Sequence, residues 1–330
     1  MAEHTAGRRS GVPGRLEPAA TLHHVMEGGP RASGRRVDRR PRAASRPAEP
    51  PVDRVVLVHG FTQTLAAWEP VAERLRGRWP VVRVDLPGHG GSGEVRVGFA
   101  EAAGLLGASG GAGAYVGYSL GGRLCLRLAL DRPDLVRALV LVGASPGIAG
   151  PAARVERRSA DEALAGAIER DGVEAFLDRW LAGPLFATLP PELAGRAERL
   201  ANTAEGLADA LRRLGPGAQE PLWDRLVDLR PPTLLLAGAL DARFAAIARE
   251  MAAAAGPVAR VALVPGAGHA AHLERPAEVT TLIEEFLTAS LGGRPGDPAR
   301  PSGAAPGDRD RPAGDRDGPA GDGPAGAIPG

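Results

Sequence analysis

The sequence predicts an α/β chain, a doubly wound, mainly parallel sheet with an inserted helical lid. Three observations carry this prediction. Six apolar runs of strand length alternate with segments of helical spacing, a pattern that packs as parallel strands joined by right-handed crossovers. One run ends in Gly117-Tyr118-Ser119-Leu120-Gly121 and passes at once into a good helix former, Leu124-Cys125-Leu126-Arg127-Leu128-Ala129-Leu130. Between Ser145 and about Leu222 the strand pattern stops and only helical spacing remains.

Taken in order, residues 1–51 are rich in Arg, Pro, Gly and Ala and hold the basic stretch Arg35-Arg36-Val37-Asp38-Arg39-Arg40. Such a segment buries too little apolar surface to offset its ordering entropy, so it is expected to be a disordered extension, with a remnant edge strand at 21–26 as the alternative. The α/β core is expected over 52–145 and 223–291. It begins with the continuous apolar run at 54–58, the signature of a strand buried on both faces, followed by a helix over 64–76 with Leu65, Trp68, Val71 and Leu75 on one side. A second run at 81–84 ends in the turn-rich Asp85-Leu86-Pro87-Gly88-His89-Gly90, and a short, poorly patterned helix over 99–106 leads to the Gly-x-Ser-x-Gly strand. Further runs lie at 138–143, 233–238 and 260–264. Helices are expected over 154–168, 173–181, 191–200 and 204–214, and this helical insertion (146–222) must sit over the carboxyl ends of the strands, as a lid. A last helix spans 277–291, and the Gly, Pro, Ala, Asp and Arg of 292–330 read as a disordered tail.

Composition sets outer limits. At 330 residues with 44% hydrophobic content there is enough apolar material for a large core. The 40 basic residues are all Arg and nearly balance 39 acidic ones, which argues against a dedicated nucleic-acid binder. Cys125 is the only cysteine, so no internal disulfide forms; its place on a buried helix fits small-residue packing. No run approaches the roughly 20 apolar residues of a membrane span, and Arg8-Arg9 is followed by no apolar segment, so the expected location is cytoplasmic. The expected assembly is a monomer or weak homo-oligomer.

The chemistry centres on Ser119. A strand, a sharp turn and a helix force this residue into a strained backbone conformation that the flanking glycines tolerate, and they lift its hydroxyl to the top of the sheet at a helix N-terminus. This is the nucleophile elbow of the α/β-hydrolase fold. A serine hydroxyl reacts only with a base in reach and an acid to orient that base, and in this fold the chain order is Ser, then Asp or Glu, then His. Asp241 follows the strand at 233–238 and His269 the strand at 260–264, so Ser119, Asp241 and His269 are the expected triad; His272 is the only close rival for the base. The backbone N–H groups of Phe61 and Leu120 are the expected oxyanion donors. His59 and His89 read as braces for their loops. No metal-ligand spacing or phosphate loop is present, so no cofactor or metal is expected. Arg123 lies one helical turn beyond Ser119 and points into the same pocket, where a dry guanidinium calls for an anion. Arg127, a turn further, reads as a surface charge, and the lid offers Arg157, Trp180 and Arg199 as further candidates.

These residues resemble those of the 2-succinyl-6-hydroxy-2,4-cyclohexadiene-1-carboxylate synthases of menaquinone biosynthesis. The matching text is His59-Gly60-Phe61 with Trp68, Asp85-Leu86-Pro87-Gly88-His89-Gly90, Gly117-Tyr118-Ser119-Leu120-Gly121-Gly122-Arg123, Ser145-Pro146-Gly147-Ile148, Arg157-Arg158-Ser159-Ala160-Asp161, Trp180, Arg199 with Asn202, Asp241-Ala242-Arg243-Phe244 and Gly266-Ala267-Gly268-His269. The resemblance covers about 55–287. It departs from the family pattern in a short, Gly-rich helix before the elbow and in an arm where the first strands belong. What it implies is a cofactor-independent lyase: Ser119, relayed by His269 and Asp241, takes a ring proton and pyruvate is eliminated. It further implies a small anionic substrate whose carboxylates meet Arg123, Arg157 and Arg199 beside Trp180. The competing reading of the same residues is a serine hydrolase of small carboxylated esters or carbon-carbon bonds, with Ser119 as a true nucleophile. A non-enzymatic ligand receptor is the third, and it has no need of an intact triad.

Overall fold

The computed structural model describes residues 21–28 and 54–291. Seven strands form one sheet: β1 (His24–Glu27), β2 (Arg54–Val58), β3 (Val81–Val84), β4 (Gly113–Tyr118), β5 (Val136–Val142), β6 (Thr233–Gly238) and β7 (Ala259–Val264). The helices are α1 (Glu69–Leu75), α2 (Phe99–Gly110), α3 (Leu120–Asp131), α4 (Pro151–Leu181), α5 (Arg196–Arg199), α6 (Ala204–Leu214), α7 (Ala242–Ala255), α8 (Ala271–Glu274) and α9 (Pro276–Leu291). Among the described residues no helix is long and apolar enough to cross a membrane.

Strand order is β1-β3-β2-β4-β5-β6-β7, with β1 antiparallel to β3 and every other pair parallel. The chain therefore winds from β2 outward to β3 and returns to β4 on the other side of β2. That reversal opens a crevice above the carboxyl ends of β2 and β4, the place where ligands bind in open α/β sheets. All six runs expected as strands are strands, and β4 is buried along its whole length. Its side chains alternate between two cores. Tyr115 packs with α2 and α3 residues such as Leu106 and Leu124, while Ala114, Val116 and Tyr118 pack with Val71, Ile283 and Leu287 of α1 and α9. A third cluster, Ala165, Ile168, Phe176, Leu207 and Leu211, joins α4 to α6 and gives the lid a core of its own.

Four differences from the sequence expectation have local causes. The N-terminal extension expected to be disordered contains β1, the edge strand held as the alternative. Its side chains alternate only between exposed and partly buried, so no hydrophobic pattern marks it; the ladder to β3 makes the strand. The helices expected over 154–168 and 173–181 run on as α4, broken at Gly172, whose φ of 80° and ψ of 167° no helical residue adopts. The helix expected over 191–200 is a 3-10 turn, Pro191–Leu193, and the single turn α5, split by Gly195 in the left-handed region. The helix before the elbow reaches Gly110 and uses its glycines for close approach, since a Cβ at Gly107 would lie 2.8 Å from Leu128. The disorder expected over 1–20, 29–51 and 292–330 lies outside the described residues.

Anchoring of β1 predicts a truncation result. Leu22 is buried and its amide donates to Ser109 Oγ at 2.8 Å, the His23 amide donates to Ser92 Oγ at 2.9 Å, and His23 Nδ1 meets Asp85 Oδ2 at 2.7 Å. Losing one buried leucine costs about 2–5 kcal/mol, and 1 kcal/mol moves Tm by roughly 2–4 °C in a chain of this size. A protein lacking residues 1–50 should therefore melt about 4 °C or more below one lacking 1–20. Equal melting temperatures by calorimetry would mean that β1 is not part of the folded unit.

Candidate active site

Ser119 caps the N-terminus of α3 at φ 49° and ψ −109°, a conformation that costs a non-glycine residue strain. Packing enforces it. A Cβ at Gly117 would lie 2.6 Å from the Gly121 carbonyl, and one at Gly121 would lie 2.4 Å from the Val58 carbonyl oxygen. Only glycine at both positions lets β4, β2 and α3 meet, and their meeting turns the serine outward at the helix N-terminus, where the dipole favours negative charge.

Asp241 caps α7, one carboxylate oxygen accepting the Phe244 amide at 3.0 Å and the other accepting His269 Nδ1 at 2.9 Å. A carboxylate on Nδ1 fixes the proton there and leaves Nε2 as the basic nitrogen. Burial alone would raise the Asp241 carboxyl, but the hydrogen bonds from His269 and the Phe244 amide and the nearby charges hold it below the ordinary carboxylate range. The His269 loop is held by Glu274, which accepts the Gly268 amide at 2.8 Å and the Ala270 amide at 3.1 Å, and Phe244 lies against the imidazole at 4.4 Å between ring centres. Ser119 and His269 line one cavity. No hydrogen bond joins the serine hydroxyl to His269 in this conformation; such bonds tighten as the reacting complex forms.

The rival base, His272, does not line that cavity. It is buried between Tyr118 and Trp68, at ring distances of 4.1 and 4.7 Å. Burial first, then the charges of Arg199 and His269, push it well below the usual histidine value, so it stays neutral.

Phe61 and Leu120 line the cavity with Ser119, and neither backbone N–H has a hydrogen-bond partner among the described residues. Leu120 is the first residue of α3, so its amide has no partner within the helix. The Phe61 amide belongs to a turn after β2 whose other polar groups are bound, the Gly60 amide by Gln63 Oε1 at 2.9 Å and the Thr62 amide by His89 Nε2 at 3.2 Å. His59 donates through Nδ1 to the Gly60 carbonyl at 2.8 Å and accepts the Leu86 amide at 3.0 Å. Burial lowers both histidines, His89 to about 3, so each acts as a neutral brace, as its sequence context suggests.

The same cavity is walled by Arg123, Arg157, Trp180 and Arg243, with Ile148, Leu185 and Leu214 supplying apolar surface. Arg123 donates to Gln219 Oε1 at 2.6 Å and to the Leu214 carbonyl at 2.8 Å, both neutral acceptors. Burial and the neighbouring Arg157 push it down to about 9, which still leaves a cation at neutral pH, buried and without an acid of its own. Arg157 differs, being paired with Asp161 at 2.7 Å. Trp180 packs edge-on to Phe61 at 5.6 Å and its buried Nε1 has no partner among the described residues.

Arg199 does not line this cavity. It is buried behind the Phe61 turn, donating to the Ala194 carbonyl at 2.7 Å, to the Phe61 carbonyl at 3.4 Å and to Thr62 Oγ1, and it borders a second cleft between the lid and α1. Four participants have no sequence assignment. Gln219 and Glu274 are set by tertiary contacts, whereas Arg243 and Phe244 stand in the Asp-x-Arg-Phe stretch, the one signal that could have found them. Arg127 is a surface charge paired with Asp131, and Cys125 is buried on α3, as expected.

Known proteins resemble this chain in sequence and fold. Residues 55–282 match the family model described as "Alpha/beta hydrolase family". A Salmonella paratyphi B protein named 2-succinyl-6-hydroxy-2,4-cyclohexadiene-1-carboxylate synthase is 35% identical over 251 residues, which is 73% of this chain and 96% of that protein. A Bacillus subtilis protein given the same name provisionally is 40% identical over 179 residues, 53% of this chain and 65% of its own length. The solved structure of MenH from S. aureus superposes with a TM-score of 0.68 at 32% identity, covering 72% of this chain and 94% of that one.

Proposed function

This chain belongs to the alpha/beta hydrolase family and, within it, to the 2-succinyl-6-hydroxy-2,4-cyclohexadiene-1-carboxylate synthases, and we propose that it eliminates pyruvate from a polycarboxylated cyclohexene precursor to give that product, a step of menaquinone biosynthesis. Ser119, relayed by His269 and Asp241, takes a proton from the substrate ring. The electron pair moves into the ring as a new double bond, the ring C–O bond breaks, and pyruvate leaves as its enolate and takes up a proton. No water is consumed. The Phe61 and Leu120 N–H groups hold the negative charge that spreads onto a substrate carbonyl while the proton is in transit.

The observation that carries the anionic substrate of this reading is the setting of Arg123. A buried cation with only neutral partners, in the cavity shared by Ser119 and His269, is costly unless the ligand brings an anion. Product and released pyruvate together carry three carboxylates. Arg123 takes one of them, with Arg157 and Arg243 at the same wall and Trp180 closing the apolar side. A neutral ester has no use for this arrangement.

A serine hydrolase built on the same triad would pass through an acyl-enzyme, with Ser119 Oγ bonded to a substrate acyl carbon. Rapid acid quench followed by mass spectrometry of the Ser119 peptide distinguishes the two. During turnover of the synthase substrate the peptide should keep its unmodified mass; an adduct that forms and decays at the rate of turnover would assign hydrolysis instead.

A further inference from the structure

The turn that presents the Phe61 amide consists of three successive peptides, each held by a different partner. The Gly60 carbonyl accepts from His59 Nδ1 at 2.8 Å and from the Gln63 amide at 3.2 Å. A trans peptide is planar with its N–H opposite its carbonyl, so fixing that oxygen fixes the direction of the Phe61 N–H. In the next peptide the Thr62 N–H donates to His89, and in the third the Thr62 carbonyl accepts from Asn202 Nδ2 at 2.8 Å. Thr62 Oγ1 accepts from Arg199 Nη1, which also reaches the Phe61 carbonyl at 3.4 Å.

Thr62 needs this hold. Its φ is 67°, the left-handed region that a β-branched residue enters only under constraint, so the turn relaxes unless its polar groups are pinned. His59, Gln63 and His89 come from the core loops after β2 and β3. Arg199 and Asn202 come from the lid, at the end of α5 and three residues beyond it. Both are buried, and the Asn202 amide is fully used: its second hydrogen goes to the Arg199 carbonyl at 2.9 Å and its oxygen accepts the Gly90 amide at 2.9 Å.

We propose that Asn202, backed by Arg199, is a positioning residue through which the docked lid holds the Phe61-Thr62 turn in its strained form and so aims the Phe61 N–H at the developing oxyanion. The inference rests on the oxyanion-hole role given to Phe61 and Leu120. It makes the lid a component of transition-state stabilisation as well as a cover for the substrate. The oxyanion hole is complete only while α5 and Asn202 are seated on the turn.

Asn202→Ala removes all three bonds, and Asn202→Asp keeps the acceptor for Gly90 but loses both donors at nearly unchanged size. A donor displaced by about 1 Å, or lost, costs roughly 10- to 1000-fold in rate. Both variants should lower kcat for pyruvate release by about 10- to 100-fold while KM stays within about twofold. In full-length protein labelled with 15N-phenylalanine, the Phe61 amide resonance, identified by its loss in Phe61→Leu, should shift in Asn202→Asp, whereas those of Phe99 and Phe286 in the core should not. An unchanged kcat, a rise in KM alone, or an unmoved Phe61 resonance would overturn the positioning role. The resonance reads the turn without turnover, so it decides the matter even if Asn202→Ala does not fold. If wild-type protein releases no pyruvate while the resonance still shifts, the lyase reading fails and the positioning stands.

Discussion

Ser119→Ala should lower kcat/KM for pyruvate release by about 10⁴-fold or more, because the members of a triad act as a unit and the remaining pair has nothing to relay to. Asp241 and His269 stay bonded to each other at 2.9 Å, and the Phe61 and Leu120 amides stay in place, so binding and charge stabilisation survive without the proton-accepting oxygen. Stability should hardly change. Alanine keeps a Cβ at the same positive φ, no hydrogen bond of the serine hydroxyl is lost among the described residues, and the contacts of Gly117 and Gly121 that enforce the elbow are untouched. Steady-state kinetics with a melting curve on the same preparation checks both halves. Near-normal turnover in a folded variant would remove Ser119 from the chemistry.

Arg123→Ala should cost about 2–5 kcal/mol of transition-state binding on the synthase substrate, roughly 30- to 5000-fold in kcat/KM, since a desolvated carboxylate loses its charged partner. Arg123→Lys should recover only part of this. An ammonium restores the charge but lacks the planar fork that reaches Gln219 and the Leu214 carbonyl while still presenting a face to the ligand. Both bonds are buried, so some stability is lost in either variant, and the comparison of substrates isolates the chemistry. On a neutral short-chain ester, removal of Arg123 should have little effect or raise the rate by relieving a buried charge. Loss on the ester with none on the synthase substrate would refute the anion-binding role.

Much of this arrangement is legible in the sequence because the fold makes its chemistry local. Ser119 is set by glycines two residues to either side, and Asp241 and His269 each follow their own strand by a few residues, so chain order and periodicity locate all three. Arg123 is legible for the same reason, one helical turn from Ser119. Arg199 is not, because its direction depends on how a single-turn helix, bounded by Gly195, docks against a turn 137 residues earlier in the chain. The structure places its guanidinium on the Phe61 and Thr62 groups, beside a second cleft and outside the lining of the Ser119 cavity. Gln219 and Glu274 carry no periodic or motif signal, being polar residues made functional by long-range hydrogen bonds. β1 escapes the pattern because a half-exposed edge strand needs no apolar alternation when an antiparallel ladder and three hydrogen bonds to Ser92, Asp85 and Ser109 hold it.

The central claim is that this triad serves an elimination. Purified protein, supplied with the synthase substrate alone, should release pyruvate in a one-to-one ratio with the conjugated cyclohexadiene product, measured together by a coupled lactate dehydrogenase reaction and the absorbance of the diene. Turnover of simple esters without pyruvate release from the synthase substrate would contradict it and assign the site to hydrolysis.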